Sequence, residues 1–448
     1  MRFWFLPGLF LITLPGVGIP QASQDKQDWA TILRAEKLEL AEPLPQVEWR
    51  TDLDAAMKLA KEQNRPLFVT MRCLPCKQCA DFDKSILTGG PKLDPWLKQF
   101  VTVRVTDAQK IDFRLFPTDY QDYDLSWWGY FLSPRGELYA IFGGKDHVSA
   151  KTRISVPALI NTMKRVLAHH YDSRRKQWKI DGPVPDLGGP IQNVTTAKGF
   201  PSWKTKHLLE KQSCIHCHQV GEVLRQPAID AKTFDKKRDL QMWPLPENVG
   251  IVLDRDHGLK VRKVIAESPA AKLGIEAGDV LAVAGKKKLF GQADFRGVLH
   301  RGPLGDGTIT VMWKNNGQLK SGKLKVEDGW RKTVIWWRTT VSGGNIGASP
   351  GFFPLRLPEA QRRRLKIPKG KMAVRPYMGN VRGIARKAGL QQSHAVVAVN
   401  GKSPDVVGRE FTTWFRLQFD RGDTVRFTIL ERNGKKRDIS YELTGGWK

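Results

Sequence analysis

Three of the five cysteines lie in one short stretch, RCLPCKQCADFD, at residues 72–83. Cys73, Cys76 and Cys79 form two overlapping CxxC motifs that share Cys76. Two thiols at this spacing interconvert between dithiol and disulfide, and the thiolate is the form that reacts. The stretch therefore predicts thiol redox chemistry, with a structural disulfide plus one spare thiol as the alternative.

The elements around this turn favour one pair of cysteines. Residues 66–71 indicate a buried strand, and the apolar spacing after it indicates a helix that begins in the cysteine turn. Cys73 then ends the strand, whereas Cys76 lies at the helix cap, where the positive end of the helix dipole stabilises a thiolate. We predict that Cys76 attacks, that Cys79 is the inward resolving thiol, and that Cys73 is an alternative partner. The competing pair, Cys73 with Cys76, is supported by the order CLPCK.

The first segment resembles a thioredoxin-like α/β domain, which we place at residues 24–170. CLPCK is similar to the CGPCK of thioredoxin, and an amphipathic helix precedes the predicted strand. A second strand at 100–107, a hairpin at 129–144 and a closing helix at 155–170 complete the pattern. Thioredoxins place a cis-proline before this hairpin, facing the disulfide, and here Trp128 is predicted at that position. A bulky indole there argues against general disulfide exchange.

The other two cysteines lie in SCIHCHQV, within a connecting segment at 171–243 that is rich in proline, glycine and charge. CxxCH is the attachment pattern of haem c. The motif predicts that Cys214 and Cys217 form the thioether bonds and that His218 binds the haem iron.

Other residues of this segment bear on the same prediction. Met242 and His207 are the candidates for the sixth iron ligand, and His216, between the two cysteines, is expected to face solvent. The alternatives to haem are a zinc site that uses the two cysteines with nearby histidines, or a simple disulfide with no cofactor.

Residues 244–330 resemble a PDZ domain of the bacterial kind. The resemblance rests on SPAAKLGI, on GDVL and on a VGI loop formed by Val249, Gly250 and Ile251. It implies that the loop amides receive the terminal carboxylate of a peptide, which adds a strand to the sheet.

Residues 331–448 repeat this order and are predicted to form a second PDZ-like domain. The loop of this copy is Gly351, Phe352 and Phe353, and ARKAGL and VVAVNG follow it. Ser393-His394 replaces the Gly-Asp of the first copy, so this turn is altered. For both copies, the alternative is a domain that packs against its neighbours without binding a peptide.

The N-terminal residues indicate the compartment, and the distribution of basic residues bears on the class of partner. Residues 1–23 have the order of a secretory signal peptide, so we expect an extracytoplasmic chain, with an uncleaved membrane anchor as the alternative. The 73 Lys and Arg against 45 Asp and Glu give a net charge of +28, which favours association with acidic lipid surfaces or cell-wall polymers. The basic residues fall in short scattered runs, and we interpret these runs as solvated surface. No nucleic-acid-binding module surrounds the basic runs, so no nucleic-acid partner is expected.

The whole order resembles a family of exported bacterial proteins with thioredoxin-like and PDZ domains, some of which carry selenocysteine in the cysteine turn. The resemblance rests on RCLPCKQCADFD, YDLSWWGYFLSPRGELYAIFGG, CIHCHQV and LPENVGI. It implies an α/β domain, a CxxCH segment and two mainly-β PDZ-like domains of sandwich or barrel form. We predict an extracytoplasmic thiol and haem redox protein, a candidate thiol-disulfide oxidoreductase, that its PDZ-like domains hold against a peptide or protein. The alternative is a non-catalytic adaptor with structural cysteine clusters.

Overall fold

A computed structural model describes residues 28–34, 39–74, 77, 79–203, 215–342, 346–379 and 383–444. The chain divides into two compact units, residues 1–35 and 36–448. The first unit contains helix α1 (Trp29–Ile32), whose N-cap Asp28 accepts a hydrogen bond from the Thr31 N–H at 3.1 Å. The predicted signal peptide lies outside the described residues. All the elements below belong to the second unit.

The second unit begins with a four-stranded sheet and the helices that cover it. In chain order these elements are α2 (Leu53–Glu62), β1 (Leu67–Arg72), α3 (Ala80–Thr88), α4 (Asp94–Leu97), β2 (Val101–Val105), β3 (Trp127–Leu132), β4 (Leu138–Phe142) and α5 (Val156–His170). The strand order is β2-β1-β3-β4. β1 runs parallel to β2, and the other neighbours are antiparallel.

The sheet separates two hydrophobic clusters. Alternate residues of a strand point to opposite faces, so Val69 and Met71 of β1 enter one cluster and Phe68 enters the other. We call the first the α2-side cluster, because it contains Ala56 and Ala60 of α2. The second is the α5-side cluster, because the buried residues of α5 belong to it. The thiols that follow β1 can therefore enter either of two separate interiors.

The predicted elements of this domain are largely confirmed, with a shift at the cysteine turn. α2, β1, β2 and α5 lie where the hydrophobic pattern places them, and the predicted hairpin is β3 and β4. α3 begins only at Ala80, with Cys79 as its N-cap. The helix therefore starts later than the sequence pattern predicts.

The described residues of the connecting segment contain α6 (Arg175–Trp178), α7 (Cys217–Asp230) and α8 (Lys236–Asp239). The region predicted as the first PDZ-like domain contains β5 (Ile251–Leu253), β6 (Val261–Val264), α9 (Pro269–Leu273), β7 (Val280–Ala284), β8 (Lys287–Lys288), α10 (Gln292–His300), β9 (Gly307–Asn315) and β10 (Gln318–Val326). Its strands form a sheet of order β10-β9-β7-β8 and a separate β5-β6 pair.

The last region contains one five-stranded sheet of order β11-β12-β13-β14-β15. Its elements are α11 (Thr339–Ser342), β11 (Phe353–Arg356), α12 (Glu359–Arg364), β12 (Val374–Tyr377), α13 (Ile384–Lys387), β13 (Ala395–Val399), α14 (Gly408–Gln418), β14 (Thr424–Leu430) and β15 (Lys436–Glu442). Within the described ranges, no helix is both long and apolar enough to cross a bilayer.

A buried ion cluster joins the first sheet domain to the regions that follow. Arg338 donates to Asp122 Oδ1 at 2.7 Å and to Asp124 Oδ2 at 3.1 Å. Arg296 of α10 lies 3.7 Å from Asp122 Oδ2. All four side chains are 1% exposed. Opposite charges that are buried this completely must stay paired, so the cluster fixes the segment between β2 and β3 against both α10 and α11.

Candidate functional site

The end of β1 holds Cys73 in a fixed position. Cys73 directly follows Arg72, the last residue of β1, and its side chain is half-buried. The Cys73 N–H donates to the Ser126 carbonyl at 3.0 Å. The Arg72 guanidinium donates to the carbonyls of Cys73 and Ser126 at 2.6 and 3.1 Å. These three hydrogen bonds fix the backbone that carries the thiol.

The residue beside Cys73 is Ser126, and the prediction that Trp128 faces the cysteine turn is wrong. Trp128 pairs with Met71, two positions before Cys73, and is 1% exposed. The error arose because β3 begins at Trp127, two residues before the predicted start of the hairpin. Trp128 therefore gives no reason to expect that a bulky residue hinders disulfide exchange at the cysteine turn.

Cys79 lies on the other side of the sheet from Cys73. It is 6% exposed and belongs to the α5-side cluster together with Phe82, and its thiol donates to the Ala150 carbonyl at 3.9 Å. Cys73 packs instead against the α2-side cluster. Cys76 lies outside the described residues, so the pair Cys76 and Cys79 stays a prediction.

Helix α7 brings a distant thiol to this place. Cys217 is the first residue of α7, is 4% exposed and belongs to the α2-side cluster that Cys73 packs against. His216 is the N-cap, and its N–H donates to Gln219 Oε1 at 2.7 Å. The N-terminus of this 14-residue helix therefore lies beside the end of β1.

Three groups at the α7 N-terminus surround the Cys73 sulfur. His216 Nδ1 lies 3.4 Å from it, and both the thiol and the backbone N–H of Cys217 donate hydrogen bonds to it. The Cys217 thiol has the largest effect, and together these groups outweigh burial and lower the pKa of Cys73 to about 5. At neutral pH this lowered pKa favours the thiolate form of Cys73. The helix N-terminus that stabilises it belongs to α7, whereas the sequence pattern predicted α3.

Close packing of α7 positions Cys217. A Cβ at Gly221 would lie 3.3 Å from side-chain atoms of both Tyr123 and Thr340, so glycine allows the helix to approach them. Tyr123 shares the α2-side cluster with Cys217. Burial is the largest cause that raises the pKa of Tyr123, and any negative charge on the Cys217 sulfur would raise it further. Tyr123 therefore stays neutral and adds no second negative charge near the Cys73 sulfur.

His218, the last residue of the CxxCH motif, lies beside His216 and Glu222. Cys214 and His207 are outside the described residues. The rings of His218 and His216 stack with centroids 5.6 Å apart, and His218 Nδ1 lies 3.6 Å from Glu222 Oε1. His216 is half-buried beside Cys73, so the expectation that it faces solvent is wrong. Met242 packs against the α2-side cluster, and its carbonyl accepts from Arg338 at 3.0 Å.

The described residues do not fit covalent haem on this motif. A thioether bond needs the Cys217 sulfur to face the porphyrin, whereas the residue is 4% exposed and its thiol is hydrogen-bonded to Cys73. His218 Nδ1 lies 3.6 Å from Glu222 Oε1, so Nε2 is the ring nitrogen that would bind a metal. In the described parts of the chain, no group of three or more His, Cys, Asp or Glu residues is arranged to hold a metal ion. Haem and zinc therefore stay predictions from the motif alone.

The first predicted carboxylate loop is already engaged within the chain. Val249 and Ile251 are fully buried, and the Gly250 N–H donates to the Glu247 carbonyl at 3.0 Å. Glu247 also pairs with Arg153, which lies between β4 and α5, at 2.6 Å. One of the predicted loop amides is therefore used internally, and peptide binding at this loop stays a prediction.

The second predicted loop is more open. The Gly351 N–H donates to Ser349 Oγ at 3.2 Å, and Phe352 is buried. Phe353 is 41% exposed and begins β11, which lies at one edge of the five-stranded sheet and pairs there with β12. Among the described strands, none covers its other edge.

Comparison with known proteins identifies one domain. The thioredoxin-like family matches residues 48–123, so the chain contains a thioredoxin-like domain there. No curated protein matches the chain. A solved structure of an HtrA-type protease, AlgW, with a decapeptide matches with 12% identity and a TM-score of 0.20. The match covers 31% of this chain and spans half of the protease chain. A likeness this weak leaves the PDZ-like domains as predictions.

The sequence reasoning missed His216 and the contact between Cys73 and Cys217. No local pattern connects segments 143 residues apart in the chain. The number of cysteines in the turn was one available signal, because any disulfide within a turn of three cysteines leaves one thiol unpaired. An unpaired thiol in a chain with a second cysteine group is a reason to consider a link between the two groups.

Proposed function

We propose that this chain is an extracytoplasmic thiol-disulfide oxidoreductase whose attacking thiolate is Cys73. The observation that carries the proposal is the position of the Cys73 sulfur, 3.4 Å from His216 Nδ1 and hydrogen-bonded to Cys217 at the α7 N-terminus. The thioredoxin-like domain at 48–123 supports a redox role for the same turn. Export is inferred from residues 1–23 of the sequence.

The lowered pKa of Cys73 favours one direction of exchange. A stabilised thiolate favours the reduced protein, so a disulfide that includes Cys73 is a good oxidant of other thiols. A low-pKa thiolate is also a good leaving group, which speeds release of the product. The proposed reaction is therefore transfer of a disulfide to a dithiol of a partner protein or peptide.

The partner is proposed to bind through the C-terminal region. In the second PDZ-like copy, the uncovered edge of β11 and the exposed Phe353 are suited to an added peptide strand. The first copy is a weaker candidate, since its Gly250 N–H is bonded to Glu247.

The proposal is tested by the pH dependence of a single turnover. The reduced protein is mixed with glutathione disulfide, and the loss of the free Cys73 thiol is measured over time from pH 4 to pH 8 by mass spectrometry. Because the pKa of Cys73 is lowered to about 5, the thiolate is present above that pH and is lost as the pH falls through it. We expect a nearly constant rate between pH 6 and pH 8 and a decline below pH 6.

An ordinary thiol is the control for this measurement. With a pKa of about 8.5, a free cysteine loses about tenfold in rate for each unit of pH below that value. If the protein shows this ordinary slope, or does not react, the thiolate proposal is wrong. Absence of reaction at every pH would favour the adaptor with structural cysteine clusters.

A further inference from the structure

We propose that Cys217 is the resolving thiol for Cys73, so that the redox-active disulfide joins the end of β1 to the first residue of α7. This inference rests on the proposed function, because it names the second thiol of the same site. It assigns Cys217, the second cysteine of the CxxCH motif, the role of a redox-active thiol in place of haem attachment.

The contacts around Cys73 favour this partner. The Cys217 thiol is within hydrogen-bonding reach of the Cys73 sulfur, and both cysteines belong to the interior on the α2 side of the sheet. Cys79 packs on the α5 side and is bonded to the Ala150 carbonyl. A bond from Cys73 to Cys79 therefore requires one of them to leave its cluster, whereas a bond to Cys217 does not.

Exposure assigns a role to each sulfur of the pair. Cys73 is half-buried, and Cys217 is 4% exposed. A partner thiolate therefore reaches Cys73 first. Cys217 is protected from outside thiols but lies against Cys73, which is the arrangement that a resolving thiol needs. His216, the N-cap of α7, is also half-buried and lies against the Cys73 sulfur.

The reaction balances with a dithiol of the partner as the reductant. A partner thiolate attacks Cys73 Sγ, the Cys73–Cys217 bond breaks, and Cys217 leaves as a thiolate that takes up one proton. The second thiolate of the partner then attacks the partner sulfur of the mixed disulfide. This step forms the disulfide of the partner and releases Cys73 as a thiolate. The partner loses two electrons and two protons. The chain gains two electrons and one proton, and the other proton passes to solvent because Cys73 stays ionised.

Peptide mapping of the full-length protein tests the pairing. The exported protein is oxidised with glutathione disulfide, its free thiols are blocked, and it is digested without reduction. We expect the dominant disulfide-linked peptide to join Cys73 to Cys217, and we expect this link to disappear on treatment with dithiothreitol. A dominant link from Cys73 to Cys76 or Cys79, or covalent haem on Cys217, would overturn the pairing.

Variants separate this inference from the proposed function. In Cys217→Ser the mixed disulfide between Cys73 and glutathione should accumulate at least about tenfold over wild type, because no second thiol resolves it. Cys214→Ser is the matched control and should keep the link from Cys73 to Cys217. If Cys73 is glutathionylated in both proteins but is never linked to Cys217, only the pairing fails. If Cys73 does not react in either protein, the proposed function fails with it.

Discussion

Cys73→Ser is expected to reduce the rate of disulfide transfer to a dithiol peptide by at least about 100-fold, because it removes the sulfur that the peptide thiolate attacks. A serine hydroxyl does not form a disulfide, and the hydrogen bonds from His216 and Cys217 cannot replace the sulfur. The measurement is the initial rate of peptide oxidation, with glutathione disulfide as the final oxidant.

Cys79→Ala is the matched control for this loss. Cys79 is buried in the α5-side cluster, away from the α7 N-terminus. Alanine keeps this position small and apolar, so the variant should retain most of the wild-type rate. The opposite pattern, in which Cys73→Ser is active and Cys76→Ser is not, would restore the pair Cys76 and Cys79 that the sequence favours.

Asp122→Asn is expected to reduce the free energy of unfolding by about 3–5 kcal/mol, because it leaves two buried guanidinium groups with one carboxylate fewer. Arg338 and Arg296 both lie against Asp122. Burial alone would raise the pKa of Asp122, and the two guanidinium groups hold it below its usual range. This stabilisation is present above the pKa of the unfolded state, and it is lost as the pH falls through the lower pKa of the folded state.

Urea denaturation at pH 7, followed by tryptophan fluorescence, measures the loss. Asp119→Asn is the control, since Asp119 is exposed and exposed substitutions change stability by less than about 0.5 kcal/mol. Equal stability of the two variants would show that the cluster does not hold the domains together.

The sequence predicts the thioredoxin-like elements because their signals are local. Apolar spacing locates α2, and a short, largely apolar run locates β1. The boundary at the cysteine turn is less well determined, since Cys79 caps α3 with a φ of 61°, a backbone conformation that periodicity does not reveal. An error of two residues at β3 was enough to place Trp128 where Ser126 lies.

The candidate site could not be predicted in the same way. The Cys73 thiolate depends on His216 and Cys217, which approach it only because α7 packs against the first domain. The buried cluster around Asp122 likewise combines residues from three distant segments. Neither arrangement has a local sequence pattern, and CxxCH by itself favours haem, which would use Cys217 for different chemistry.

The most direct measurement is alkylation of the reduced protein by iodoacetamide at pH 6, with each of the five cysteines quantified over time by peptide mass spectrometry. We predict that Cys73 reacts first, since the lowered pKa of Cys73, about 5, makes it the thiolate at that pH. His216→Ala should slow Cys73 and leave the other cysteines unchanged. Faster labelling of Cys76 or Cys79 than of Cys73, or equal slow labelling of all five, would contradict the assignment of Cys73 as the attacking thiolate.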